Sequence, residues 1–459
     1  MYNSTVCFYS YNNEGERIYM GKIIKQHKKA IIYFLGLLLF VPWIFTLNLG
    51  NFDDTFTLRM LQHSIPQIIR LDALDVHPPI YYIILKLFFN ITFINHASPF
   101  IQIIAGRLFS TITFIATLVV MRKVLINLLN RHISFAFMLS VCLLPTILQY
   151  STDIRMYSLS ALFIACELNS IINFNRNHQT KDIILATLFA ALGAWTHYFT
   201  AIIAGLMLLY NFIMNKKGRV SYLISGICFF ILFTPWLKVS MNQMASVNHS
   251  YWIKNQLAEY LNVFCYSRLS GILGNKLACY FSLLFIGCLF YTAFKTLKTF
   301  NQEFRKYYMM VSVILFGTII LGFILSILIR PIFQARYVYG ISMIYFVMNL
   351  PLIQKLLTTY SNSIIKWGFL GMVSIGVLFN LALGAFNSIK NVRIVQSVTQ
   401  LEKSSVTQIN CDHELRPVAL MNSYLVKDKT FTTKHYDELS DTCQSKVLFK
   451  NIYPNIKDE

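Results

Sequence analysis

The sequence predicts an all-α, polytopic membrane protein, on three observations. Of 459 residues, 56% are hydrophobic and 15% aromatic while only 13% are charged, and the mean hydropathy of +0.53 is too high for a soluble globular chain. Apolar runs about as long as a bilayer-crossing helix recur from residue 31 to residue 386. The polar stretches between them alternate between basic segments and segments poor in Lys and Arg, as inner and outer loops do.

Taken in order, the chain divides into a cytoplasmic N-terminal segment (1–30), a transmembrane domain (31–386) whose first outer loop spans 50–97, and a small extracytoplasmic C-terminal domain (387–459) with α/β character. Met20 stands directly before the basic stretch "GKIIKQHKK" and is a candidate start in place of Met1. The first apolar run lacks a small-residue cleavage site, so it reads as a retained helix. Membrane helices are expected near 31–49, 98–121, 133–149, 156–173, 182–196, 198–214, 220–240, 275–294, 308–329, 337–353 and 367–386, about eleven in all.

With the N-terminus inside, "RKVLINLLNRH", "NKKGR" and "KTLKTFNQEFRK" all fall on the cytoplasmic side. The net charge of +20 is thereby used by topology; no cluster of aromatics and bases suits a nucleic acid. The scheme requires that "IYYIILKLFFNITFI", after the two prolines of "DVHPP", does not cross the membrane. Pro78 and Pro79 lack backbone donors and disfavour helix in the residue ahead, so they start a new helix over 79–94 that lies in the outer interface. The amphipathic "TFTLRMLQHSIPQIIR" precedes it in the same loop.

This topology puts every unusual polar cluster on the outer face: "NFDDTFT" (51–57), "DVHPP" (75–79), "STDIRMYS" (151–158), "WTHYFT" (195–200) and "RPIFQARYVYG" (330–340). Arg155, Arg330 and Arg336 sit at outer helix edges against the positive-inside rule, which points to a local anionic partner. Any one of these groups also reads as an interfacial anchor. Five clusters on one face read better as a site.

An acidic pair after the first membrane helix, then D-x-H-P-P opening a juxtamembrane helix, then "QARYVYG" at a late outer helix end resembles the C-type glycosyltransferase superfamily. The most similar branch holds the protein O-mannosyltransferases and the lipid A aminoarabinose transferases. "RMYSLSALF" and "THYFTAI" are similar to stretches in its bacterial members, and the resemblance spans roughly residues 30–340. Asp54 departs from the pattern, standing where that branch carries Glu.

The resemblance implies a glycosyltransferase that moves a sugar from a polyprenyl phosphate, undecaprenyl phosphate in a bacterial inner membrane, to a hydroxyl of an extracytoplasmic acceptor, with inversion. A surface glycan or lipopolysaccharide is the preferred acceptor, and protein the alternative. Elementary chemistry asks the same of the site. It needs a carboxylate to take the acceptor's proton, donors to hold the departing phosphate, and an apolar groove for the lipid.

Asp53 and Asp54 are the candidate catalytic carboxylates, with Asp53 matching the first acid of the family pair; "DDT" also reads as a helix cap. His77 stands where relatives meet the carrier phosphate and reads equally as a structural histidine; Asp75 holds it or its loop. Arg336 is the foremost phosphate ligand, with Tyr337 or Tyr339 adding a hydroxyl, and Arg155 and Arg330 are further candidates. Arg107, two turns inside its helix, needs an acid or the carrier phosphate as partner. Tyr81 and His197 are read as supporting residues.

No close ligand spacing supports a metal site, so neither metal nor other cofactor is expected. Of nine cysteines, five fall within apolar helices. Cys411 and Cys443 flank the outer C-terminal segment and are expected to form a disulfide, stabilising it by roughly 3 kcal/mol. A polytopic lipid or solute transporter is the rival reading. It would place its polar groups near the bilayer midplane between broken helices.

Overall fold

The structure is a computed structural model that describes residues 40, 41, 44, 52–246, 257–264, 275–328, 331–359, 382, 408–411 and 430–433. The described chain is helical apart from two four-residue parallel strands, β1 (Gln408–Cys411) and β2 (Thr430–Thr433). Three short helices come first: α1 (Phe52–Met60), α2 (Ile65–Ala73) and α3 (Ile80–Ile91). Long α4 (Pro99–Leu129) is followed by α5 (Phe135–Leu139), α6 (Pro145–Tyr150), α7 (Tyr157–Asn177), α8 (Thr180–Ala194) and α9 (Tyr198–Met214). Then come α10 (Arg219–Ser246), α11 (Leu257–Asn262), α12 (Asn275–Thr296), α13 (Gln302–Leu328) and α14 (Tyr339–Thr359).

Six described helical stretches are long and apolar enough to span a bilayer: Pro99–Leu129, Tyr157–Asn177, Arg219–Met244, Lys276–Thr299, Gln302–Leu328 and Ala335–Thr359. The chain is a multi-pass membrane protein. α4, α7 and α14 are largely buried and form its centre, whereas α10, α12 and α13 turn most of their apolar surface outward, as lipid-facing helices do. In α4 the hydroxyls of Thr111 and Thr117 donate to carbonyls one turn back, at 2.9 and 2.8 Å, which satisfies them within the helix.

One departure from the sequence reading has a local cause. The stretch 133–149 is not one helix but α5, a 3-10 turn (Ser140–Leu143) and α6. Pro145 forces Leu144 into an extended conformation (φ −80°, ψ 114°) and breaks the run. α8 and α9, at 15 and 17 residues, fall where helices 182–196 and 198–214 are expected. Segments 1–30 and 360–381, Cys443 and Arg330 lie outside the described residues, and so do most of the expected helix 31–49 and most of the C-terminal domain.

Residues 52–91 fold into α1–α3 as a platform. α3 starts immediately after Pro79, and its first amide N–H, of Ile80, donates to the Trp195 carbonyl at 3.1 Å. Its 12 residues reach about 18 Å, too short to cross the hydrocarbon. One face buries Tyr81, Tyr82, Leu85 and Phe89 while Leu87 and Ile91 lie exposed. Lys86 Nζ donates to the Leu61 carbonyl at 2.6 Å and ties α3 to the end of α1.

Candidate active site

Two close helix contacts determine where the site residues meet. Gly106 of α4 faces Ile154, and a Cβ at Gly106 would lie 2.8 Å from Ile154 Cγ2. The missing side chain lets the 151–156 turn seat on α4, where Ser110 Oγ donates to the Asp153 carbonyl at 2.7 Å. Gly340 at the start of α14 lets that helix approach α7; a Cβ there would come within 3.2 Å of the Ala161 backbone. The first contact positions Arg155 and Tyr157, the second Arg336.

Into this junction α1 brings its acids, and they divide their partners. Arg336 Nη1 donates to Asp53 Oδ2 at 2.6 Å, and Arg155 Nη2 lies 3.9 Å from Asp53 Oδ1. Asp54 turns the other way, as neighbouring side chains on a helix must. Its Oδ2 accepts from Arg107 Nη2 at 3.1 Å and its Oδ1 from the Ile154 amide at 2.8 Å, with only 3% of the residue exposed. Burial pushes the Asp53 carboxyl up, but Arg155 and Arg336 outweigh it and hold the group below the usual range. For Asp54, burial outweighs the favourable pull of Arg107 and the direction is upward.

Arg155 is buried at the hub. Its Nη1 donates to Tyr82 Oη at 3.2 Å and its guanidinium sits 5.9 Å from the Phe56 ring centre. His77 and His197 are both buried, with ring centres 5.5 Å apart, and the Tyr337 ring lies 4.9 Å from His197. His197 caps α9: its Nδ1 accepts from the Phe199 amide at 3.2 Å, which leaves the ring proton on Nε2 in the neutral form. Burial, reinforced by Arg155 and Arg336, lowers His197 to about 3 and takes His77 well below its ordinary value.

The acids of the α2–α3 turn lie on the same side. Asp75 is pushed up by burial despite Arg155, and Asp72 well up by burial and by Asp75. Asp72 is fully buried, and neither carboxylate oxygen has a hydrogen-bond partner among the described residues.

The structure therefore brings together Asp53, Asp54, Asp75, His77, Arg107, Arg155, His197, Arg336 and Tyr337 from the sequence-selected set. Two tyrosines are placed differently from the expectation. Tyr82, not Tyr81, contacts the arginine hub, while the Tyr81 ring packs between Tyr82 and Phe109. Tyr339 points away from the junction, donating to the Ile147 carbonyl at 3.4 Å. Sequence reasoning missed Tyr82, Asp72 and Tyr157. Tyr82 stands inside "IYYIILKLFFNITFI" and Tyr157 inside "STDIRMYS", but nothing in their spacing set them apart in a chain with 26 tyrosines; Asp72 falls between the stretches 55–70 and 75–79.

Among the described residues no three His, Cys, Asp or Glu side chains converge as a metal site. A separate cavity of about 340 Å³, lined by Phe174, His178, Thr180, Ile183, Lys217 and Ser221, lies at the far end of α7, roughly 26 Å along the helix from Tyr157.

The cluster can hold an anion beside a carboxylate, on a platform at one end of a helical membrane domain. No protein-family model matches the sequence, and comparison with curated proteins finds no match. Comparison with solved structures finds the same polytopic membrane architecture. ArnT from Cupriavidus metallidurans, in a crystal structure bound to undecaprenyl phosphate, superposes with a TM-score of 0.52 at 10% identity, covering 93% of this chain and 88% of that one. At that identity the likeness is one of fold.

Proposed function

We propose that the protein is an integral membrane glycosyltransferase that moves one sugar from a polyprenyl-phosphate donor to a hydroxyl of an acceptor on the extracytoplasmic side of a bacterial inner membrane. The observation that carries this reading is the carboxylate of Asp53 held between two guanidinium groups, Arg336 and Arg155, at the rim of a helical membrane domain. The likeness of fold to a protein crystallised with undecaprenyl phosphate supports it.

Each group has a task in this reaction. The guanidinium groups bind the phosphate and stabilise the charge that grows on it as the bond to the sugar breaks. Asp53 accepts the acceptor's proton as its oxygen attacks the anomeric carbon from the opposite face, giving inversion in one displacement. The proton goes to Asp53 and the electron pair of the broken bond to the leaving phosphate. His77 and His197 remain neutral and line the wall of the pocket. No metal is required, because the two arginines supply the positive charge.

The free site also protects its base. A carboxylate paired with Arg336 is a poor proton acceptor, and an arriving phosphate competes for that guanidinium. Binding of the donor therefore makes Asp53 more basic at the moment it is needed. The acceptor we favour is a cell-surface glycan such as lipopolysaccharide. Transfer of radiolabelled sugar from polyprenyl-phosphate donors, comparing wild type with Asp53→Asn, Asp54→Asn and Arg336→Ala at equal expression, tests the reading. Label transferred by wild type and lost in Asp53→Asn supports it; equal behaviour of all four proteins sinks it.

A further inference from the structure

Among the buried donors here with no hydrogen-bond partner among the described residues are Nε of Arg155 and the hydroxyl of Tyr157, two residues on. Tyr157 opens α7 and is 3% exposed. Its ring stands edge-on to Tyr150 and to His197, with centres 5.6 and 6.3 Å away, so the side chain is held from both sides. The charged groups that act on its hydroxyl are Arg336, Arg155 and Asp53. A hydroxyl buried dry without a partner is costly, and one beside two guanidinium groups lacks an acceptor rather than a donor. Asp53, the carboxylate within reach, is already engaged by both arginines.

We propose that Tyr157 Oη, together with Arg155 Nε, donates hydrogen bonds to a phosphate oxygen, making Tyr157 a third arm of the anion site beside Arg155 and Arg336. The inference rests on the reading of this site as one for a polyprenyl-phosphate donor, and it adds a direct contact to the leaving group. It also accounts for why the hydroxyl finds no partner among the described residues: the acceptor is the ligand.

The test is binding of undecaprenyl phosphate to the full chain in lipid nanodiscs by calorimetry, with undecaprenol and inorganic phosphate as separate probes. Tyr157→Phe should bind undecaprenyl phosphate about tenfold more weakly than wild type, the loss of one hydrogen bond to a charged oxygen. Its melting temperature without ligand should stay level or rise, because a hydroxyl with no partner has been removed. Tyr339→Phe, which removes a hydroxyl already donating to Ile147, should do the opposite, lowering the melting temperature with affinity unchanged.

Equal affinity of Tyr157→Phe and wild type for undecaprenyl phosphate overturns the inference and leaves the donor reading standing. Equal binding of undecaprenol and undecaprenyl phosphate by wild type shows that phosphate is not recognised and overturns both. Inorganic phosphate that binds wild type and loses affinity in Tyr157→Phe supports the contact and assigns recognition to the headgroup alone. A Tyr157→Phe protein that melts well below wild type without ligand assigns the residue to packing and overturns the proposal.

Discussion

Asp53 and Arg336 are 283 residues apart in sequence, yet the guanidinium donates to the carboxylate at 2.6 Å. The pair joins α1 to the start of α14 and thereby closes the site. Because the two arginines around it hold the Asp53 carboxyl low, the free protein keeps it ionised well into acid solution. A bound phosphate draws on the same arginines, and the carboxyl's pKa rises. The acid limb of kcat, which reports the donor complex, should accordingly fall at higher pH than the acid limb of kcat/KM, which reports free enzyme. Coincident limbs would show that the phosphate does not share the arginines with Asp53. Asp53→Asn should lower kcat by about 10²–10⁴-fold, the ordinary contribution of a general base.

Asp54 should behave differently from its neighbour. It is paired with Arg107 inside the protein and also holds the Ile154 amide, so its loss takes a carboxylate from a buried guanidinium. Asp54→Ala should destabilise by about 3–5 kcal/mol, read as a lower melting temperature and poorer yield. Asp54→Leu combined with Arg107→Met, which removes both charges, should recover most of that loss. A double variant no more stable than Asp54→Ala would place the value of Asp54 elsewhere.

The acid pair itself was legible in sequence, as were the prolines that start α3 and the arginine at the start of α14. Each is a residue type that costs energy in an apolar setting, and three such signals in order survive in a single chain. Which acid meets which arginine was not legible. Adjacent acids are equivalent in sequence, and only the approach of α4 at Gly106 and of α14 at Gly340 separates their partners. Tyr82 and Tyr157 were hidden for another reason: tyrosine is common at membrane interfaces, so its presence there carries no signal until its hydroxyl is seen to lack or find a partner. The break in 133–149 was legible from Pro145 and was overridden by the apolar count.

His77 and His197 are the side chains of the site whose ordinary titration lies nearest neutrality, and burial beside Arg155 and Arg336 takes both below it. Between pH 6 and 8 both remain neutral in the folded protein. The pH–rate profile should therefore show no histidine inflection near 6.5, and an inflection there that disappears in His77→Gln would contradict this arrangement.

Gly106 offers a test of how packing reaches the chemistry. Gly106→Ala puts a methyl group 2.8 Å from Ile154 Cγ2, and Ile154 carries the amide that holds Asp54. Displacing that turn should lower both the melting temperature and the rate of transfer. Adding Ile154→Ala, which removes the Cγ2, Cγ1 and Cδ1 atoms that the new methyl would meet, should restore part of each. If Gly106→Ala alone leaves transfer unchanged, the 151–156 turn does not transmit position to the acids.

Asp72 supplies a prediction of stability against pH. Its carboxyl is fully buried, has no hydrogen-bond partner among the described residues, and is raised by burial and by Asp75. A raised value in the folded state means that the folded protein keeps a proton the unfolded chain has already released. The contribution to stability is then complete below about pH 3.9, the unfolded value, and is lost as pH climbs through the folded one. Asp72→Asn fixes the side chain in a neutral form of nearly the same shape. The variant should melt above wild type at pH 8, with the gap narrowing steadily towards pH 5, since all other titrating groups except the neighbouring Asp75 are common to both proteins. Asp75 moves in the same sense: without Asp72 beside it, its own carboxyl ionises more readily and the variant gains again at high pH. A gap that is constant with pH would assign the effect to packing, and a variant less stable at pH 8 would mean that the Asp72 charge is stabilised in the folded protein.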